Sequence, residues 1–379
     1  MEKSYIFKLS GRDKTKVKNK ILFLGRFVPP IHGASVMNEI YFNSLGKKFN
    51  VKKIKLNSYN SLEDMGKLNL NTIFFQVVGL IKTIFLLTFF RPNIIYFEIA
   101  PSGIALFKDS TYVLLCKLFR RKIIFASHSR GLSSKNNKDS KYYNFIFRKT
   151  KMIILSELLF PEVKALFKTK DTYILPNGIK DETSTHELER IISKRKKEKK
   201  TNFLFLSNMI EEKGALDVLK FCNIIKKKKI NFNCFFVGVS LDPTFEKIWN
   251  KELKKLRLER NCFYLGPKYG KEKNKIIANT DFLIFPTKYK MECYPLVILE
   301  ALMYGIPVLS YDTGAIKDII IKDFLGYVSS KKTPEDLVDN FLKIKNKVNR
   351  KKIRKYFKDN YTADKSEVAL NKIILKELK

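Results

Sequence analysis

The stretch MECYPLVILEALMYGIPVLSYDTG, residues 291–314, decides the reading of this chain. It is apolar and has the pattern of a buried helix followed by a buried strand, yet two carboxylates interrupt it, Glu292 and Glu300, with seven residues between them. Pro295 suits the first turn of a helix, where its missing N–H does no harm. The helix then runs to about Tyr304, and Gly305 suits its C-terminal stop. Cys293 and Tyr294 are poor caps, so the free N–H groups of the first turn want an acceptor from outside. A helix start that faces a cleft favours phosphate. Glu292 stands in the loop ahead, and Glu300 lies roughly 7–8 Å further on at 1.5 Å per residue. One carboxylate can address a group beyond the phosphates and the other can accept from hydroxyls on the near side. Hexose, diphosphate and ribose follow one another in that order.

Short apolar runs alternate with amphipathic stretches on both sides of this segment. Residues 20–28, 93–100, 122–128, 151–157 and 172–178 read as strands, and 34–48 as a helix after a Pro-Gly loop. A polar, charged stretch, 180–201, reads as an inter-domain connection or an exposed helix. A second series follows at 202–208, 231–239, 261–266, 281–287, 306–312 and 326–330. Nearly continuous apolar strands are expected of parallel sheets buried on both faces. Two such series predict an α/β chain of two Rossmann-like doubly wound domains facing a central cleft. The first domain is expected over 1–180 and the second over 181–361.

The bulk properties agree with two domains. The chain has 379 residues, too many for one ordinary core, and 45% of them are hydrophobic, which excludes wholesale disorder. The five cysteines are scattered and none forms C-x-x-C, which argues against a disulfide framework or a zinc site and suits a reducing cytoplasm. The N-terminal stretch lacks the apolar core of a signal peptide. The net charge of +37 implies attraction to a polyanion, nucleic acid or an anionic membrane surface, although compositional bias spread over solvated faces gives the same number. Residues 71–90 are long enough to span a bilayer, but Gln76 and Lys82 interrupt them. They are expected to form a helix packed on a sheet, with one face toward lipid headgroups.

With these motifs in view, ECYPLVILEALMYGIPVLSYDTGAIKDII closely resembles the E-x7-E segment of retaining glycosyltransferases of the GT-B fold, family 4. RFVPPIHGASVMNEI is similar to that family's N-terminal loop and first helix, ILPNGI to the segment closing the first domain, FLSNMIEEKG to its strand-loop-helix with a Lys-Gly pair, and FYLGPKYGKEKNKIIANTDFLIFPT to the stretch before the first glutamate. The resemblance implies that Glu300 accepts from the ribose hydroxyls and that Glu292 lies by the donor hexose. It implies that the backbone of Pro295, Leu296 and Val297 meets sugar and diphosphate, that Lys213 neutralises the diphosphate, and that Gly33 lets the N-terminal loop approach the phosphates. His128 would reach the donor sugar from the first domain; Ser127 and Arg130 beside it are candidates for the acceptor. A C-terminal helix, 362–379, would cross back onto the first domain. The sequence also departs from the family. Ser207–Asn208 stands where a Gly-Arg pair is usual, leaving Asn208 beside the donor without the second cation; Asp181 comes one place late; Cys293 and Tyr294 follow the first glutamate.

The implied activity is transfer of a hexose or N-acetylhexosamine from a nucleoside-diphosphate sugar, UDP-linked rather than GDP-mannose, to a polyprenyl-diphosphate-linked glycan in capsule or O-antigen synthesis. No Asp-x-Asp occurs, so neither a metal nor another cofactor is expected. The expected location is the inner face of the cytoplasmic membrane, peripherally bound and without nucleic acid. The rival readings are a nucleotide-sugar 2-epimerase and a non-catalytic basic protein that holds membrane or RNA; no RNA-binding signature is present.

Overall fold

The computed structural model describes residues 19–58, 70–134, 140–240 and 242–379. The N-terminal stretch read for a leader lies outside the described residues, apart from its last two. Among the described residues, twelve strands form two sheets of six, all pairs parallel. The first sheet holds β1 (Lys20–Gly25), β2 (Asn50–Lys55), β3 (Ile94–Glu98), β4 (Lys122–Ala126), β5 (Lys151–Ile154) and β6 (Thr172–Ile174), in the order β2-β1-β3-β4-β5-β6. The second holds β7 (Thr201–Leu206), β8 (Phe232–Val237), β9 (Cys262–Tyr264), β10 (Phe282–Phe285), β11 (Val308–Tyr311) and β12 (Gly326–Ser329), in the order β12-β11-β10-β7-β8-β9.

Each central strand feeds two cores. In β1, Ile21 and Phe23 join one cluster while Leu22 and Leu24 join the other. In β7, Phe203 and Phe205 face one way and Leu204 and Leu206 the other. Period-two alternation with apolar residues at every position is what a sheet covered on both faces requires. Strand β2 escapes the sequence pattern because it is an edge strand of sequence NVKKIK with only Ile54 buried; lysines on an edge discourage stray pairing.

In open parallel sheets, ligands bind beyond the C-terminal strand ends where the strand order reverses. In the first sheet that point falls between β1 and β3, and in the second between β10 and β7. The two units are joined twice at one place. The Ile179 N–H donates to Tyr361 O at 2.9 Å and the Ala363 N–H to Ile179 O at 2.8 Å, so outgoing and returning chains run side by side. A Cβ at Gly178 would stand 2.4 Å from Thr362 O, which is why this crossing takes glycine. After the crossing, the Ala363–Leu378 helix lies against the Gly33–Lys48 helix of the first unit. Leu370 and Ile374 share a cluster with Tyr41 and Leu45, and the Asn371 amide donates to Ser44 Oγ at 3.1 Å.

The segment expected to pack on a sheet forms a helix, Leu70–Phe85, that continues to Phe90; Leu80, Leu86 and Leu87 pack into the core under the first sheet, and the rest of its inner side lies on the Gly103–Leu118 helix. The small surface of Gly79 receives Tyr112 there: a Cβ at Gly79 would stand 2.2 Å from the Tyr112 hydroxyl.

Candidate functional site

The reversal point of the second sheet gathers the residues that the sequence singles out. Lys213 follows β7 through a short loop and Glu292 follows β10; the Lys213 Nζ donates to Glu292 Oε2 at 2.7 Å, with both side chains largely buried. The geometry is held from several sides. Thr287 Oγ1 donates to the same carboxylate oxygen at 3.3 Å, and the Lys213 ammonium sits 4.3 Å from the centre of the Tyr289 ring, where the ring face favours a cation. Gly214 follows Lys213 at φ +87°, and a Cβ there would stand 2.3 Å from Pro286 O, so the Lys-Gly pair is what lets this loop close onto the end of β10. At Gly314, φ +60°, a Cβ would stand 2.4 Å from Glu292 O and 2.7 Å from Cys293 O, so the loop that carries the carboxylate packs directly on this glycine.

The helix of the opening stretch runs from Leu296 to Met303, with Pro295 as its N-cap rather than within its first turn, and no side chain caps it. Gly305, at φ +70°, follows its end. Glu300 lies inside this helix, partly buried, and its Oε1 accepts from Lys273 Nζ at 2.7 Å. Burial pushes the Glu300 carboxyl above the ordinary glutamate range, and Lys273 opposes that shift. Lys273 was not singled out from sequence; it is one of three lysines in GKEKNK, and only the packing of the Gly270–Ala278 helix distinguishes it.

Asn208 follows β7 and supplies no cation. Lys288, the nearest lysine to that loop in sequence on the β10 side, is engaged by Asp217 at 2.6 Å. Asp181 bonds Arg354, whose other nitrogen donates to Met303 O at 2.9 Å, so this aspartate braces the end of the Leu296–Met303 helix.

The first unit faces this assembly. A Cβ at Gly33, the first residue of the Gly33–Lys48 helix, would meet only Leu296, at 3.8 Å, which places the start of one helix against the start of the other. His32 caps the first of these helices through Nδ1, leaving its Nε2 buried and unpaired among the described residues. His128, at the end of β4, likewise has a buried, unpaired Nε2, and burial pushes its pKa down to about 4, so the imidazole is neutral. Asn177 donates to Tyr294 O at 3.3 Å and thereby ties the crossing segment to the loop after Glu292. Ser127, Arg130 and Glu162 line a small cleft with Cys293, Arg130 pairing with Glu162 at 2.9 Å. Away from the cleft, Cys222, Cys234 and Cys262 converge with their sulfurs within 4.8 Å of one another, buried among aromatic side chains; nothing in their sequence spacing announces it.

Two Rossmann-like domains whose strand ends meet at a cleft define the GT-B fold of glycosyltransferases, and this chain has that fold. Residues 188–362 match the family described as glycosyl transferases group 1. Among curated proteins the chain is 29% identical over 143 residues to an uncharacterized 41.2 kDa protein of the cps region of Klebsiella pneumoniae, covering 37% of this chain and 36% of that one. It is 25% identical over 248 residues to an uncharacterized glycosyltransferase of Methanocaldococcus jannaschii, covering 64% and 63%. The chain thus spans less than two thirds of the length of the curated relatives it matches. The Anabaena HepE structure in complex with UDP-glucose superposes with a TM-score of 0.69 at 14% identity, covering 94% of this chain and 99% of that one.

Proposed function

We propose that this protein is a glycosyltransferase that moves a hexose or N-acetylhexosamine from a UDP-sugar to a lipid-linked glycan in surface-polysaccharide synthesis, with retention of configuration. The observation that carries the reading is the Lys213–Glu292 pair at the sheet's reversal point, beside the uncapped start of the Leu296–Met303 helix. The diphosphate occupies that helix start, where free N–H groups and the helix dipole favour negative charge. Lys213 turns from Glu292 to the leaving phosphate, and Glu292 is then freed to meet the hexose. Glu300 accepts from the ribose hydroxyls, with Lys273 opposing the upward shift that burial imposes on its carboxyl. Asn208 and the backbone of Pro295, Leu296 and Val297 complete the donor side, and neutral His128 donates or accepts a single hydrogen bond at the sugar from the first domain. The bond from the anomeric carbon to the phosphate oxygen breaks as the bond to the acceptor hydroxyl oxygen forms on the same face. The hydroxyl proton passes to the departing diphosphate. Charge developing on that diphosphate is met by preoriented positive groups, so the reaction proceeds in excess EDTA.

UDP is favoured because HepE, a structural neighbour, is described in complex with UDP-glucose, and a surface polysaccharide because a relative lies in a cps region. A thermal-shift screen of UDP-GlcNAc, UDP-GalNAc, UDP-glucose, UDP-galactose and GDP-mannose tests the reading. A ligand at 100 times its Kd stabilises the fold by about 2.7 kcal/mol, so one UDP-sugar should raise the melting temperature and GDP-mannose should not.

A further inference from the structure

The helix from Leu70 to Phe90 turns most of its large apolar side chains outward. Toward the protein it presents Thr72, Gly79 and Thr83, all buried, and the Gln76 amide, which donates to Lys108 O at 3.0 Å and to Thr111 Oγ1 at 3.1 Å, while Leu80, Leu86 and the fully buried Leu87 pack into the core under the first sheet. The face it turns outward carries Ile73, Phe74, Val77, Ile81, Phe85 and Phe89, which recur at helical spacing; Phe74 is 71% exposed and Phe89 69%. The Gly103–Leu118 helix extends this surface with Ile104, Phe107 and Leu118, and the Lys141–Phe147 helix with Phe145. An apolar face of this extent is not stable against water and marks a contact with something apolar.

Charge identifies the occupant. Over residues 70–134 and 140–154 the only carboxylates are Glu98 and Asp109, both buried and both paired with Arg26. Among the described residues of these segments the exposed charges are therefore cations, among them Lys82, Arg91, Arg120, Lys141 and Lys149. A second copy of this chain would bring the same positive rim against itself. An anionic bilayer matches both the apolar face and the positive rim.

We propose that this face docks the protein on an anionic lipid bilayer, with the Leu70–Phe90 helix lying in the plane of the interface. The helix has 21 residues and is long and apolar enough to cross a membrane. Its polar face, however, is already bonded to the Gly103–Leu118 helix, whose own inner side (Leu106, Tyr112, Val113 and Cys116) belongs to the core under the first sheet. One face only is left for lipid, as in helices that lie on membranes rather than through them. The Gly103–Leu118 helix also starts just beyond the end of β3. A Cβ at Gly131 would lie within 4.0 Å of Pro101, which precedes this helix, and of Met291, which precedes Glu292. Docking through this face sets the rim of the cleft toward the bilayer, where a lipid-linked molecule presents its head. The docking itself does not rest on the transferase reading.

Co-sedimentation of the full-length protein with vesicles, without any sugar nucleotide, tests it. The wild-type chain should sediment with phosphatidylcholine vesicles containing phosphatidylglycerol and much less with phosphatidylcholine alone. Phe74→Glu/Phe85→Glu should weaken partition by tenfold or more, since each buried apolar side chain contributes at least about tenfold. Its melting temperature should hold, because both side chains project away from the protein. Lys82→Gln should weaken partition into the anionic vesicles about fivefold and leave the neutral ones unchanged. Wild-type protein that stays in the supernatant overturns the proposal, as does a Phe74→Glu/Phe85→Glu protein that sediments like wild type. A soluble dimer that Phe74→Glu/Phe85→Glu splits, or protein released only by detergent, also overturns it.

Discussion

The ammonium of Lys213 stands 2.7 Å from the carboxylate of Glu292, although the two residues are 79 positions apart in the chain. They arrive from β7 and β10, the neighbouring strands between which the order of the second sheet reverses. With both side chains largely buried, neither charge is satisfied without the other or a ligand that replaces it. Lys213→Met should therefore act in two ways. It should destabilise the fold by about 1–3 kcal/mol by leaving a carboxylate unpaired, and lower turnover by about 100- to 1,000-fold by removing the charge that meets the diphosphate. The double variant Lys213→Met/Glu292→Gln should recover most of the melting temperature and none of the activity. A double variant that recovers both would make the pair purely structural.

The two glutamates should separate binding from chemistry. Glu300→Gln keeps the shape of the side chain and loses its charge, so affinity for UDP should fall about 10- to 150-fold. Glu292→Gln should bind UDP like wild type and turn over more slowly. Because burial raises the Glu300 carboxyl above its ordinary range, UDP affinity should decline on acidification at a higher pH than an exposed glutamate would give. Lys273→Met removes the cation that opposes this rise and should move the decline to still higher pH. Calorimetry across pH reads all three effects.

Gly33 and Gly314 make a matched pair of tests. At Gly33 a Cβ meets nothing closer than Leu296 at 3.8 Å, so Gly33→Ala should leave the melting temperature unchanged. It should still weaken the donor's apparent affinity by tenfold or more if phosphate approaches this backbone, on the order of 1.4 kcal/mol. At Gly314 a Cβ would stand 2.4 Å from Glu292 O, at φ +60°. Gly314→Ala should destabilise the fold, by about 1–2 kcal/mol from the left-handed backbone and further from the clash. A Gly33→Ala enzyme with wild-type kinetics would remove Gly33 from the site.

His128 should be silent in the pH–rate profile. Its pKa is pushed down to about 4, so turnover should show no break near 6.5 that disappears in His128→Asn. Stability should show it instead. The unfolded imidazole takes up a proton near pH 6.5 and the folded one only near 4, so stability falls as pH drops through that interval. The asparagine variant should lose less stability than wild type over the same range.

Much of the architecture is readable from strand composition, because apolar residues at successive positions mean burial on both faces wherever they occur. Strand β2 was not readable: an edge strand of NVKKIK buries one side chain and resembles a loop. Lys213 and Glu292 were readable because each sits in a motif whose neighbours, Gly214 and Pro295, have a backbone reason to be there. Lys273 was not, since a lysine acquires meaning only when packing sets it beside Glu300. The length and apolar composition of residues 70–90 showed a helix with one face outward but not which side chains turn inward. Tyr112 fills the notch at Gly79, so the inner side is small there, and Leu80, Leu86 and Leu87 reach the core.

The most direct test of the central claim is release of nucleoside diphosphate from a panel of UDP- and GDP-sugars by the purified full-length protein, wild type beside Lys213→Met. Wild type should consume one UDP-sugar, and the variant, folded and at equal concentration, should consume it about 100-fold more slowly or worse. Wild-type protein that neither binds nor consumes any sugar nucleotide, or a variant that consumes it at the wild-type rate, would overturn the proposed transfer at Lys213.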